Sequence, residues 1–105
     1  MALELNVSEG DGRATVSVKG EVDLSSAPQL RDAILKAAKT VKSELAVELS
    51  GVVYMDSSGV ATLVEGLKAS RDPGRTFVLL SPSQQVMKVL QLSRLDAVFT
   101  IRSGE

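Results

Sequence analysis

Two period-two segments on either side of a turn cluster open this chain, and they frame everything that follows. Leu3, Leu5 and Val7 alternate with Glu4, Asn6 and Ser8, and Ala14, Val16 and Val18 alternate with Thr15, Ser17 and Lys19. Strict alternation places all the apolar side chains of a strand on one face, so each segment reads as a strand buried on one side. Between them lies Glu9-Gly10-Asp11-Gly12, a turn cluster that predicts an antiparallel hairpin.

Downstream the period lengthens and then switches back three times. Ser25-Ser26-Ala27-Pro28 carries the serine-then-proline order of a helix start. Ala27, Leu30, Ile34, Ala37 or Ala38, and Val41 then form a stripe on one helical face that lasts to about Thr40. Leu45, Val47 and Leu49 predict a third strand; Ser50 and Gly51 break it, leaving Val52 to Met55 as a short apolar connector. A second helix is expected from Ser57 to Asp72, with Val60, Leu63, Val64 and Leu67 buried, Thr62, Glu65 and Lys68 off that stripe, and Asp72-Pro73-Gly74 as its stop. Phe77 to Leu80 is a continuous apolar run suited to a strand covered on both faces. Ser81-Pro82-Ser83-Gln84 reads as a capping box with Ser81 at the cap, opening a helix whose inner face holds Val86, Val89 and Leu90. Val98 to Ile101 is the last strand. The order β-β-α-β-α-β-α-β predicts an α/β fold in one domain over residues 1–105. Its mixed β-sheet starts with an antiparallel N-terminal hairpin and grows by right-handed β-α-β crossovers, with the helices mainly on one face.

Composition narrows the functions available. The chain has 105 residues, enough for one core. Its three aromatics, Tyr54, Phe77 and Phe99, leave that core aliphatic and provide no stacking platform for single-stranded nucleic acid. The formal net charge is −1 with the charges interspersed, so the basic stripe of a nucleic-acid binder is missing. Cysteine and histidine are both absent. That removes thiolate and imidazole metal sites, disulfides and any Ser-His-Asp or Cys-His nucleophile. Asp56 stands where Gly-x-Ser-x-Gly would need its first glycine around Ser58, and neither a Walker A lysine pattern nor Gly-x-Gly-x-x-Gly occurs. No apolar run approaches the ~20 residues of a membrane helix, and Met1 to Val7 alternates where a signal segment would be continuous. The expectation is a cytoplasmic, non-enzymatic protein without metal or cofactor, acting on neither nucleic acid nor membrane.

Asp56-Ser57-Ser58-Gly59 sits where an apolar run ends and a helical pattern begins. Asp and Ser are preferred caps there. The same place, with unpaired N–H groups and the positive end of the helix dipole, also tolerates a phosphate.

Taken with Gly20-Glu21-Val22-Asp23-Leu24-Ser25-Ser26-Ala27-Pro28 and Leu49-Ser50-Gly51, the segment Met55-Asp56-Ser57-Ser58-Gly59 resembles the STAS domain, and more closely the single-domain anti-sigma factor antagonists of bacteria. The resemblance spans almost the whole chain. It implies a phosphorylation-gated binding module. In its unphosphorylated form such a protein binds an anti-sigma factor that is also a serine kinase of the ATP-binding switch type, and so releases the sigma factor. A PP2C-type phosphatase reverses the modification. By position the resemblance makes Ser58 the phosphoacceptor ahead of Ser57, and places Asp23, Asp56, Ser57, Ser58 and Gly59 at the partner surface. One departure is Ala61, where many members carry glycine. STAS domains that brace the ATPase of lipid ABC transporters offer an alternative, against which the intact serine pair stands.

Phosphate on Ser58 would add about −1.5 to −2 charges at neutral pH. The helix dipole would favour that charge and Asp56 would oppose it, so the fold is expected to stay as it is while docking is blocked. Gly59 reads either as access for a kinase to the adjacent hydroxyl or as a residue easing the chain into the helix. Asp23 reads either as a turn former before the first helix or as a contact, and Glu21 as a solvated strand-end charge.

Overall fold

The computed structural model describes residues 3–71 and 74–103. Its elements are β1 (Glu4–Gly10), β2 (Arg13–Val22), α1 (Ala27–Thr40), β3 (Glu44–Met55), α2 (Ser57–Ala69), β4 (Thr76–Leu80), α3 (Gln84–Leu92) and β5 (Thr100–Arg102). The five strands lie in sequence order, with β1 antiparallel to β2 and every later neighbour parallel. This is the mixed sheet expected from the pattern. The hairpin closes on Asp11 and Gly12, both at positive φ (55° and 77°), between the paired Gly10 and Arg13. A two-residue loop with that backbone matches the right-handed twist of the strands it joins.

One continuous core forms between the helices and a single face of the sheet. Val16, Val18 and Val22 from β2, Leu45, Val47, Leu49 and Met55 from β3, and Leu79 from β4 meet Leu30 and Ile34 of α1, Leu63 of α2, and Val86 and Leu90 of α3. Fully burying an aliphatic side chain of this size is worth roughly 1.5–3 kcal/mol, so the paucity of aromatics costs the fold little. Phe77 and Phe99 supply one tilted ring pair, 6.3 Å between centroids.

Four boundaries differ from the sequence reading. β3 does not break at Ser50-Gly51: it runs 12 residues beside the 10 of β2. The surplus is absorbed by register shifts between Ser17 and Lys19 and between Gly20 and Glu21, which are β-bulges. Ser50 and Gly51 thus mark a bulged strand, and Val52 to Met55 belong to it. α2 ends at Ala69 with Ser70 as its cap; the expected stop at Asp72-Pro73 lies outside the described residues. The third helix is capped by Ser83, whose Oγ accepts the Val86 N–H at 3.3 Å, and Ser81 instead sits at φ 46°. Ser and Pro two residues earlier imitate the same signal. The last strand starts at Thr100, because Phe99 turns into the core while Val98 stays 52% exposed. Thr62, expected off the buried stripe, is buried; its hydroxyl donates to the Ser58 carbonyl at 3.1 Å.

Candidate functional site

β2 and β3 end side by side, with Val22 opposite Met55 and the Asp56 N–H donating to the Val22 carbonyl at 3.1 Å. Asp23 and Asp56 therefore leave neighbouring strands together, at the carboxyl edge where open α/β sheets present their sites.

Asp56 is the cap of α2, in extended backbone (φ −108°, ψ −170°). Its Oδ1 accepts from the Ser58 N–H at 2.9 Å and from the Ser58 hydroxyl at 2.5 Å. Its carbonyl accepts from Gly59 and Val60 at 3.1 and 3.2 Å. The first-turn N–H groups of Ser58, Gly59 and Val60 are thus already partnered by Asp56, as a side-chain cap requires. The two serines differ: Ser57 is exposed, whereas Ser58 is half-buried with its hydroxyl aimed at a carboxylate. A hydrogen bond to an ionised acceptor at this distance is of the strong, charge-assisted kind.

Gly59 points the other way. A Cβ there would lie 2.6 Å from Met55 Cγ and 2.8 Å from Val22 Cγ1. The residue is buried against the ends of β2 and β3, and its missing side chain is what lets α2 seat on them. Neither sequence reading of Gly59 anticipated this packing. The signal was nonetheless available, since Gly59, Leu63, Gly66 and Ser70 follow at helical steps along one face. Ala61 is exposed on the outer side of the helix.

Asp23 is engaged within its own loop. Its Oδ1 accepts from the Ser25 hydroxyl at 2.8 Å, the Ser25 N–H at 3.0 Å and the Ser26 N–H at 3.1 Å. The Ser25 hydroxyl bond foremost, then the backbone bonds, hold its carboxyl below the ordinary 3.8. The Ser26 hydroxyl accepts from the Asp23 N–H and donates to the Glu21 carbonyl at 2.8 Å, so it braces the loop and does not cap α1. The turn-forming role of Asp23 is therefore the one visible in its contacts. Around the two aspartates, Leu24 is 80%, Val53 56% and Tyr54 45% exposed, and Tyr54 pairs with Glu21.

Gln85 is a site neighbour that sequence reasoning missed. From the first turn of α3 its side-chain amide bonds both the N–H and the carbonyl of Met55. Nothing local to either residue signals a contact across 30 positions. Among the described residues no three His, Cys, Asp or Glu side chains gather closely enough to hold a metal ion, and no helix is long and apolar enough to cross a membrane.

Fold and site together define a small α/β domain whose middle helix begins with an aspartate-capped serine. The family model described as "Mlab, STAS domain" matches residues 5–102. The chain belongs to the STAS domain family. A relative from Bacillus subtilis (strain 168), an anti-sigma-B factor antagonist, is 27% identical over 101 residues, covering 96% of this chain and 92% of the relative. Its namesake from Staphylococcus aureus (strain NCTC 8325 / PS 47) is 25% identical, with coverage of 99% and 96%. The crystal structure of an anti-sigma factor antagonist from Mycobacterium paratuberculosis superposes with a TM-score of 0.87 at 26% identity, over 96% of this chain and 86% of that one.

Proposed function

We propose that this protein is an anti-sigma factor antagonist whose docking is gated by phosphate on Ser58. The observation that carries the reading is the Ser58 hydroxyl, held at 2.5 Å by Asp56 in the first turn of α2. The names of the Bacillus and Staphylococcus relatives support the same role.

In the bare form the strand-end surface receives the anti-sigma factor. Asp23 and Asp56 shape it, Ser57 and Ser58 lie within it, and Gly59 seats the helix that bears them. A switch-type serine kinase transfers the γ-phosphoryl group of ATP to Ser58 Oγ, and the hydroxyl proton leaves. The hydrogen that Asp56 accepted is then gone, and two anionic groups face each other. The net charge falls from −1 to roughly −3. The core is not involved, because the Ser58 side chain faces the cap and not the sheet. A partner must now desolvate a dianion beside a carboxylate. A penalty of ~3 kcal/mol weakens docking more than a hundredfold. A PP2C-type phosphatase restores the hydroxyl. The protein itself supplies no catalysis in this cycle.

The test pairs the protein with the switch kinase encoded by its source cell. Ser58→Ala is expected to take up no phosphate from ATP by mass and to bind the kinase constitutively in calorimetry; Ser58→Asp is expected to bind at least tenfold more weakly. Equal affinities for the two variants, or phosphate retained on Ser58→Ala, would remove Ser58 from the role. Retrieval of a transporter ATPase in place of a switch kinase would favour the scaffold alternative.

A further inference from the structure

The strongest unassigned feature near the site is the grip of α3 on the end of β3. β4 pairs with β3 only as far as Leu80 opposite Glu48. Past that rung no strand among the described residues lies on the β4 side of β3, yet Met55 is not left open. Gln85 Oε1 accepts the Met55 N–H at 2.7 Å, and Gln85 Nε2 donates to the Met55 carbonyl at 3.3 Å. One side-chain amide thus does what the backbone of a neighbouring strand would do. Only a primary amide offers donor and acceptor together in this geometry.

The amide is itself well anchored. α3 begins at Gln84 under the Ser83 cap, the Ser83 N–H donates to the Leu49 carbonyl, and Val86 and Leu90 are buried in the core. On the opposite edge the next residue, Asp56, is tied through its N–H to Val22. The Met55 side chain is buried beneath Gly59. The chain is therefore held from both sides immediately before the aspartate that orients Ser58.

We propose that Gln85 is a positioning residue for Ser58: α3 presets the Met55 peptide, and through it the Asp56 cap and the direction of the Ser58 hydroxyl. The importance of that direction rests on the reading of Ser58 given above. Gln85 touches neither phosphate nor kinase; it acts through the backbone.

The experiment compares wild type, Gln85→Met, Gln85→Glu and Gln84→Met, the last altering an exposed neighbour. Amide hydrogen exchange is followed by NMR, and phosphorylation by the cognate switch kinase is followed with kcat and KM resolved. In Gln85→Met the amides of Met55 and Ser58 are expected to exchange about tenfold faster relative to the Ile34 amide in α1. kcat for phosphoryl transfer is expected to fall about tenfold with KM changed less than twofold, as a misaligned acceptor behaves. Gln85→Glu, which keeps an acceptor and loses the donor, is expected to fall between. It carries the test if Gln85→Met does not fold. Faster exchange at Met55 with Ser58 unchanged would overturn the proposal, as would equal effects from Gln84→Met or a loss confined to KM. If wild type accepts no phosphate, the gating role of Ser58 fails, while the exchange data still decide whether Gln85 positions it.

Discussion

Replacing Gly59 by alanine adds one methyl group to the tightest contact in the site. That carbon would meet Met55 Cγ at 2.6 Å, Val22 Cγ1 at 2.8 Å and Met55 Sδ at 3.2 Å, where real carbon contacts begin near 3.5 Å. Neither neighbour has room to retreat, because Val22 is fully buried and Met55 is 1% exposed. Overpacking of this kind costs typically 1–3 kcal/mol. Alanine recovers up to ~1 kcal/mol through helix propensity, and less in a first turn. The net expectation is a loss of about 1–2 kcal/mol, or ~5–15 °C in Tm at the ~4–8 °C per kcal/mol of a domain this size. Thermal unfolding followed by circular dichroism measures it. The double variant with Val22→Ala should recover part of the loss through a favourable coupling of about 1 kcal/mol, as expected for residues in contact. A Gly59→Ala protein as stable as wild type, or strict additivity in the double variant, would refute the packing role. Gly59 would then have to be explained by access to Ser58 after all.

Asp56→Ala removes the α2 cap and should lower stability by about 1 kcal/mol, with Asp56→Asn losing only a few tenths because the acceptor survives; equal denaturation midpoints for the two would contradict the cap. Ser58→Ala keeps the backbone bond to Asp56 and should cost less than Asp56→Ala. Asp23 has a folded-state pKa held below 3.8 by the Ser25 and Ser26 bonds. Its contribution is therefore present above the unfolded value and is lost as pH falls through the lower, folded one. A carbon-13 titration should place its midpoint under 3.8, and Asp23→Asn should flatten the acid limb of stability below that pH. A midpoint at or above the ordinary value would show that the loop bonds do not favour the carboxylate.

The hairpin and the three crossovers were legible because alternation and helical stripes are properties of neighbours along the chain. So was the Asp56 cap, since its partners lie within four residues. What the pattern concealed was longer-range. Ser50-Gly51 looked like an end because a bulge uses the same residues as a turn, and only pairing with β2 shows which one is present. Thr62 looked like a surface residue until its hydroxyl found the Ser58 carbonyl one turn back. Val98 and Phe99 were both apolar enough for a strand, but one faces water and the other the ring of Phe77. The contact of Gln85 with Met55 depends on the docking of α3 and has no local trace.

The irregular pairing of β2 with β3 has a consequence for how the family can change length. Side chains in a regular strand flip face at every step, but each surplus residue of β3 absorbs one flip, so Leu49, Val52 and Met55 all reach the core. Removing one surplus residue, such as Val53, would restore a regular rung and leave Met55 facing inward as the floor beneath α2. Single-residue insertions and deletions are therefore tolerated at the bulges, whereas one residue lost from the regular rungs that pair Ala14–Ser17 with Leu45–Glu48 would turn the buried valines to the wrong face.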